Sequence, residues 1–230
     1  CTGFAIAESS EDQEEIPLHP EFQFMVGKKV RGNWSAWGNS IRAALKGAVK
    51  YGSIPLSFAP DMVLNKKSRN FLANWNNWDK KYFDEAKKYK KQSYFNIKDN
   101  RVNVDWFDLV RVGMWGNRKF NRTIVTGANW RGTWNHPKDG IIPLSNSGSS
   151  VGHMFEIIGW KQIKEKPYLV IYPNYGHSLG DNGLLYMSRE VANAHLSFGF
   201  YSFVDIPVDL AKILSQYSNK VVGSGTAPLY

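Results

Sequence analysis

The spacing of the hydrophobic residues changes along this 230-residue chain, near residue 102. Before that point the apolar residues recur every three or four positions, as Ile41, Ala44, Leu45 and Ala48 do, and Gly52 follows as a helix-ending signal. After that point, short runs rich in β-branched and aromatic residues lie between turn residues, as in RTIVTGANW and PYLVIYPNYG. Helical spacing thus gives way to strand spacing once along the chain.

Such an order predicts an α+β fold with two lobes. We expect a mainly α-helical lobe at 1–101, an antiparallel β-sheet or barrel at 102–220 and a tail at 221–230. The hydrophobic content of 43% is sufficient for a packed core. An active-site cleft commonly lies between two such lobes, so the boundary between them is where we expect function to reside.

Charge and cysteine content narrow the possible partners. The net charge is +9, and many lysines fall in the segment 79–98, where aromatic residues at helical spacing predict an exposed helix with a buried aromatic side. Because no nucleic-acid motif accompanies these lysines, we expect no nucleic-acid partner. The chain has no apolar run of about 20 residues, so we expect a soluble chain without a membrane span. The single cysteine excludes an internal disulfide, and no metal-ligand spacing links the histidines, so neither metal nor cofactor is expected.

That cysteine, Cys1, lies where the first predicted helix begins, in the segment CTGFAIAES. A helix N-terminus favours the thiolate form of a thiol and so makes it a nucleophile, although a lone cysteine is also common as a small buried hydrophobe. A thiolate mechanism further needs a base within hydrogen-bond reach and an acceptor that orients that base.

Three segments together resemble the papain-like cysteine peptidase family. The run Cys1-Thr2-Gly3-Phe4-Ala5 resembles the nucleophile helix of that family, and GHMFEIIGW, which contains His153, resembles its histidine strand. Asn174-Tyr175-Gly176 with the following GDNGLL resembles its Asn-Ser-Trp-Gly segment. This resemblance implies a papain-like fold in which Cys1 is the nucleophile, His153 is the base and Asn174 is the acceptor for the imidazole.

The resemblance also implies a substrate-binding surface. The loop at Trp37 and Gly38 resembles the glycine-bearing loop that pairs with substrate backbone, Gly152 lies beside the base, and Tyr175 stands where the family has a shielding Trp.

The sequence departs from the family pattern in two ways. Without a gap, Pro173 takes the position of the family's Asn, whereas Asn174 fits after a one-residue deletion and His177 is a weaker substitute. The family's oxyanion-binding Gln lies upstream of the nucleophile, which implies a longer polypeptide before Cys1 or a removed N-terminal piece.

The resulting expectation is a thiol protease, a hydrolase that cleaves peptide bonds in a peptide or protein substrate through a thioester intermediate. Two alternatives stay open. The first is a catalytically inactive papain-like module for binding or assembly, and the second is an N-terminal-nucleophile cysteine amidohydrolase, in which the α-amine of Cys1 is the base and His153 is incidental.

Overall fold

The computed structural model describes residues 1–97, 105–117, 123–145, 148–196 and 198–204, and the predicted tail at 221–230 lies outside them. Within the described residues there are seven α-helices: α1 (Thr2–Glu14), α2 (Pro20–Arg31), α3 (Ile41–Tyr51), α4 (Arg69–Ala73), α5 (Lys80–Ala86), α6 (Trp106–Asn117) and α7 (Arg189–His195). They also contain six strands: β1 (Ser93–Asn96), β2 (Ile124–Arg131), β3 (Ser150–Ile163), β4 (Lys166–Tyr172), β5 (Leu185–Ser188) and β6 (Tyr201–Val204).

Local signals explain where the helix predicted from Ile41 begins and ends. The Ser40 side chain accepts a hydrogen bond from the Ala43 backbone N–H at 3.1 Å, which caps the first turn of α3. At the other end Gly52 has a φ of 90°, and a Cβ added there would lie 1.8 Å from the carbonyl oxygen of Ala86. Only glycine therefore satisfies both the backbone conformation and the close approach of the α5 end.

Another glycine sets the approach between the first two helices. A Cβ added to Gly3 would lie 2.1 Å from the carbonyl oxygen of Pro20, the first residue of α2. The start of α2 therefore lies directly against the first turn of α1. This contact fixes the end of α1 that carries Cys1, the N-cap residue of the helix.

The six strands form one antiparallel sheet in the order β1-β6-β2-β3-β4-β5, as the sequence predicted for the second half. Three features differ from the prediction. Strand β1 belongs to the sheet although it falls within the segment expected to be mainly helical, and α6 and α7 interrupt the strand-rich half. The two helices cover one face of the sheet, where their apolar residues share a core cluster with Phe155 and Ile157 of β3.

Strand β3 lies between the two parts of the fold. Its side chains alternate, because successive residues of a strand point to opposite faces. Phe155 and Ile157 enter the cluster with α6 and α7, whereas Met154 packs with Ala5 and Ile6 of α1. Helix α1 therefore packs on the face of β3 opposite to the one that α6 and α7 cover. Strand β3 also carries His153.

The lysine-rich segment is only partly the exposed helix that was predicted. In α5 and the turn that follows it, exposed lysines pair with Asp84 and Glu85, and Tyr82 and Phe83 pack toward a helical core cluster. Lys91 differs, because its side chain is fully buried and its Nζ lies 2.8 Å from Glu14 Oε1. A buried charge requires such a partner. Among the described residues, no helix has the length and apolar content needed to cross a membrane.

Candidate active site

Cys1 occupies the N-terminus of the 13-residue helix α1. Its side chain is exposed and free, it makes no capping hydrogen bond, and its carbonyl accepts the first intrahelical bond, from Ala5 N–H at 3.0 Å. The unpaired N–H groups and the dipole of the helix favour negative charge at this end. The position thus favours a thiolate over a thiol.

His153 lies on β3, paired with Ala128 of β2, and its side chain is buried. Aromatic rings enclose the imidazole. The Tyr175 ring stacks on it with centroids 4.5 Å apart and 12° between planes, and the Trp130 ring meets it edge-on at 4.9 Å. These contacts hold the ring plane in one orientation.

Two hydrogen bonds assign the ring nitrogens of His153. Nε2 lies 2.7 Å from the carbonyl oxygen of Pro173, and Nδ1 lies 3.2 Å from the Tyr175 hydroxyl oxygen. A carbonyl can only accept, so Nε2 carries the proton of the neutral imidazole. Nδ1 is then the basic nitrogen, and the Tyr175 hydroxyl donates to it.

Burial lowers the pKa of His153 to about 4, against the opposing effect of the Pro173 carbonyl, which stabilises the protonated ring. The imidazole is therefore neutral near pH 7 and able to accept a proton.

Cys1 and His153 line the same cleft, which has a volume of about 430 Å³. Residues of the helical part and of the sheet contribute to it: Cys1, Thr2, Asn39, Ser40, Ile41, Arg42, Gly152, His153, Met154, Phe198 and Tyr201. The cleft thus combines a thiol, a neutral imidazole, the cationic Arg42 side chain and an apolar wall. Among the described residues, no group of three or more His, Cys, Asp or Glu side chains is arranged to hold a metal ion.

The predicted substrate-binding residues lie at or beside this cleft. Gly152 lines it, and Gly38, whose φ is 66°, directly precedes the lining residue Asn39. Trp37 lies outside the lining residues and is 80% exposed, with the Arg69 guanidinium 3.7 Å from the centre of its ring. Tyr175 contacts His153 through both its ring and its hydroxyl.

The structure places Asn174 differently from the sequence expectation. Its backbone is left-handed, with a φ of 62°, and its side chain lies against Glu8 of α1. With the amide oriented so that Nδ2 faces Glu8, it donates to both carboxylate oxygens, at 2.8 Å to Oε1. The Nε2 atom of His153 contacts the backbone carbonyl of Pro173, which takes the place predicted for the amide. His177 is exposed, and its Nδ1 lies 3.3 Å from the carbonyl oxygen of Asn182.

A second support of the site, Lys28, was not predicted from the sequence. This residue of α2 is buried, and its Nζ donates to the carbonyl oxygens of Ala36 and Gly38. Burial lowers its pKa, and the positive charges of Arg31 and Arg69 lower it further. The lysine thereby holds the loop that precedes α3 in place. Lys28 lies among the polar positions of α2, where a lysine is normally exposed, so the sequence gives no signal of this role.

Known structures share this arrangement of helices and sheet. No protein-family profile and no curated protein matches the sequence. Xylellain, a cysteine protease from Xylella fastidiosa, superposes with a TM-score of 0.69 at 18% identity, over 90% of this chain and 80% of xylellain. The chain has the papain-like fold. Bromelain from Ananas comosus is likewise similar, with a TM-score of 0.62 at 16% identity over 89% of this chain and 88% of bromelain.

The papain-like resemblance extends to a ragweed pollen cysteine protease in its proform, with a TM-score of 0.65 at 14% identity. That comparison covers 89% of this chain but only 58% of the longer proform. Since all these identities are below 20%, the similarity establishes the fold. The chemistry rests on the residues of the cleft.

Proposed function

We propose that this chain is a cysteine-type peptidase that hydrolyses peptide bonds in peptide or protein substrates. The observation that carries the proposal is the assignment of the His153 nitrogens. Because Nε2 is held by the Pro173 carbonyl, Nδ1 is the basic nitrogen, on a ring that lines the same cleft as the Cys1 thiol at a helix N-terminus. A nucleophile, its base and an orienting acceptor are the parts that such chemistry needs.

The reaction begins when the Tyr175 hydroxyl releases its hydrogen bond to His153 Nδ1. The Cys1 thiol then transfers its proton to Nδ1. The thiolate attacks the peptide carbonyl carbon, and the Cys1 backbone N–H donates to the resulting oxyanion. The C–N bond then breaks, the proton on Nδ1 passes to the leaving amine, and a thioester remains on Cys1. A water molecule next loses a proton to Nδ1 and attacks the thioester. The C–S bond breaks, the acid product leaves, and the proton on Nδ1 returns to the Cys1 sulfur, which restores the thiol and the neutral imidazole.

The Pro173 carbonyl performs the orienting role expected of Asn174. It accepts from Nε2–H in the neutral ring and in the imidazolium, so the ring keeps one tautomer through both steps. We further propose that substrate backbone lies along Gly38 and Gly152, with Trp37 and Tyr175 at the borders of the binding surface. A polypeptide segment upstream of Cys1, in a longer protein, would add a second oxyanion donor.

Hydrolysis of a mixture of quenched fluorescent peptides tests this function. We expect the wild type to cleave, Cys1→Ser and His153→Ala to be inactive, and His177→Ala to retain activity as an exposed-histidine control. An inactive wild type whose Cys1 thiol is unreactive would instead favour the binding module. Cleavage retained in His153→Ala would favour the N-terminal-nucleophile alternative, in which the α-amine is the base.

A further inference from the structure

Three consecutive residues between β4 and β5 divide their contacts between two parts of the site. Pro173 and Tyr175 both hold His153, the first through its carbonyl oxygen and the second through its hydroxyl and ring. Asn174 lies between them and has the opposite orientation, toward Glu8. Its left-handed backbone, which Asn tolerates better than most residues, produces this division. The turn therefore contacts both the base and helix α1.

Glu8 connects the other end of this contact to the nucleophile. It lies seven residues after Cys1, which is two helical turns, so both residues fall on the same side of α1. The helix is the element that positions Cys1, and the turn at 173–175 is the element that orients His153. The Glu8–Asn174 contact joins these two elements directly.

The groups around Glu8 explain how the contact can persist as pH changes. The carboxyl is half-buried and lies near Glu11 on its own helix, the Cys1 nitrogen and Tyr172 on β4. Burial, with the negative charge of Glu11, raises the pKa of Glu8 to about 8. A protonated carboxyl donates to the Asn174 Oδ1, and an ionised one accepts from Nδ2, so an amide that can rotate by half a turn satisfies both states.

We propose that the Glu8–Asn174 contact sets the position of His153 relative to Cys1, so that Asn174 and Glu8 are positioning residues of the active site. The inference rests on the proposed function. The path runs from Cys1 down α1 to Glu8, across to Asn174, and through its neighbours Pro173 and Tyr175 to the imidazole. Each of these links is a covalent neighbour, a helix or a hydrogen bond present in the structure.

The rate at which iodoacetamide alkylates Cys1 across a pH series tests this inference on the full chain, without requiring peptide turnover. Asn174→Ala removes the contact, and we expect its rate at neutral pH to fall by roughly ten- to a hundredfold, the range that misplacement of a reacting group costs. Asn182→Ala is the matched control. Asn182 belongs to the same β4–β5 connection and is also left-handed, with a φ of 52°, but its amide donates to Asp181. Its rate should match the wild type.

Two near-isosteric variants separate positioning from stability. Glu8→Gln keeps a hydrogen-bonding partner for Asn174, so it should retain a larger rate than Glu8→Ala. In Asn174→Asp the contact becomes a carboxyl pair that needs a shared proton. Its rate relative to wild type should fall as pH rises, because the shared proton is lost and the two carboxylates repel each other. A Glu8→Ala, Asn174→Ala double variant should be no slower than either single variant, since both remove one contact.

The outcomes distinguish this inference from the proposed function. If Glu8→Ala and Asn174→Ala lower the melting temperature but leave the pH profile of alkylation unchanged, the contact is structural and the inference is overturned while the peptidase proposal stands. If wild-type Cys1 itself shows the pH profile of an ordinary thiol, with a pKa of about 8.5, the proposed function fails, and with it the positioning role.

Discussion

Removing the hydroxyl of Tyr175 is expected to make Cys1 more reactive. In the resting site this hydroxyl donates to Nδ1 of His153 at 3.2 Å, and only the neutral ring can accept that bond. The bond therefore competes with transfer of the thiol proton to the same nitrogen. Tyr175→Phe removes the competitor and keeps the ring that stacks on the imidazole.

The size of the effect follows from the worth of one hydrogen bond. A bond of this kind contributes about 1 kcal/mol net. Since 1.36 kcal/mol corresponds to one pKa unit, its loss raises the pKa of His153 by about 0.7 unit. The fraction of molecules that hold a thiolate beside an imidazolium should then rise about fivefold, and the alkylation rate of Cys1 should rise in proportion.

The assay is the second-order rate of Cys1 alkylation by iodoacetamide at neutral pH, followed by mass spectrometry. Tyr186→Phe is the control, because that hydroxyl contacts Asp181 and Lys161, away from His153. An unchanged or lower rate in Tyr175→Phe, with a normal melting temperature, would refute the reasoning. A lower rate would mean that the hydroxyl stabilises the imidazolium by accepting from Nδ1–H.

Three further outcomes follow from burial, charge and backbone geometry. Because the folded-state pKa of Glu8 is raised from 4.5 to about 8, its stabilising effect is lost as pH rises through that window. As pH rises, the melting temperature of Glu8→Gln should therefore exceed that of the wild type by a growing amount. A difference that stays constant with pH would contradict this. Replacing the exposed lysines of 80–90 with glutamine should leave turnover of a small neutral peptide unchanged, because they lie outside the active site. A fall in turnover with folding intact would contradict this. In urea denaturation, Gly32→Ala should lower the free energy of unfolding by about 1 to 2 kcal/mol, from its left-handed backbone alone, since the space around Gly32 is open. Gly52→Ala, against Ala86, should cost about 1 to 3 kcal/mol more, and equal losses would contradict the close approach.

Local patterns were sufficient to predict the elements that carry the site. A run of small and apolar residues without a helix breaker predicted a helix at Cys1, and a β-rich run between turn residues predicted the strand of His153. Both depend on short-range preferences that the amino-acid sequence expresses directly. The α+β order of the fold followed from the same signals, and the antiparallel sheet confirms it.

The third element of the site depends on information that residue types do not express. The ungapped alignment pointed to Pro173, which has no side-chain acceptor, whereas its backbone carbonyl makes the contact. Asn174 lies against Glu8 of α1, on a left-handed backbone that residue types alone do not specify. Lys91 was predicted to be exposed with its neighbours, but tertiary packing buries it against Glu14. Long-range contacts decide each of these three cases.

The central claim, that Cys1 is a nucleophile served by His153, is tested most directly by acid-quenching the protein during turnover of an activated peptide ester. Mass spectrometry of the digested protein then locates any acyl group. We expect an acyl adduct on Cys1 that hydroxylamine removes, as it does a thioester, and we expect no adduct in His153→Ala at the same reaction time. Continued hydrolysis of the ester with Cys1 unmodified, or an adduct that forms equally fast without His153, would contradict it.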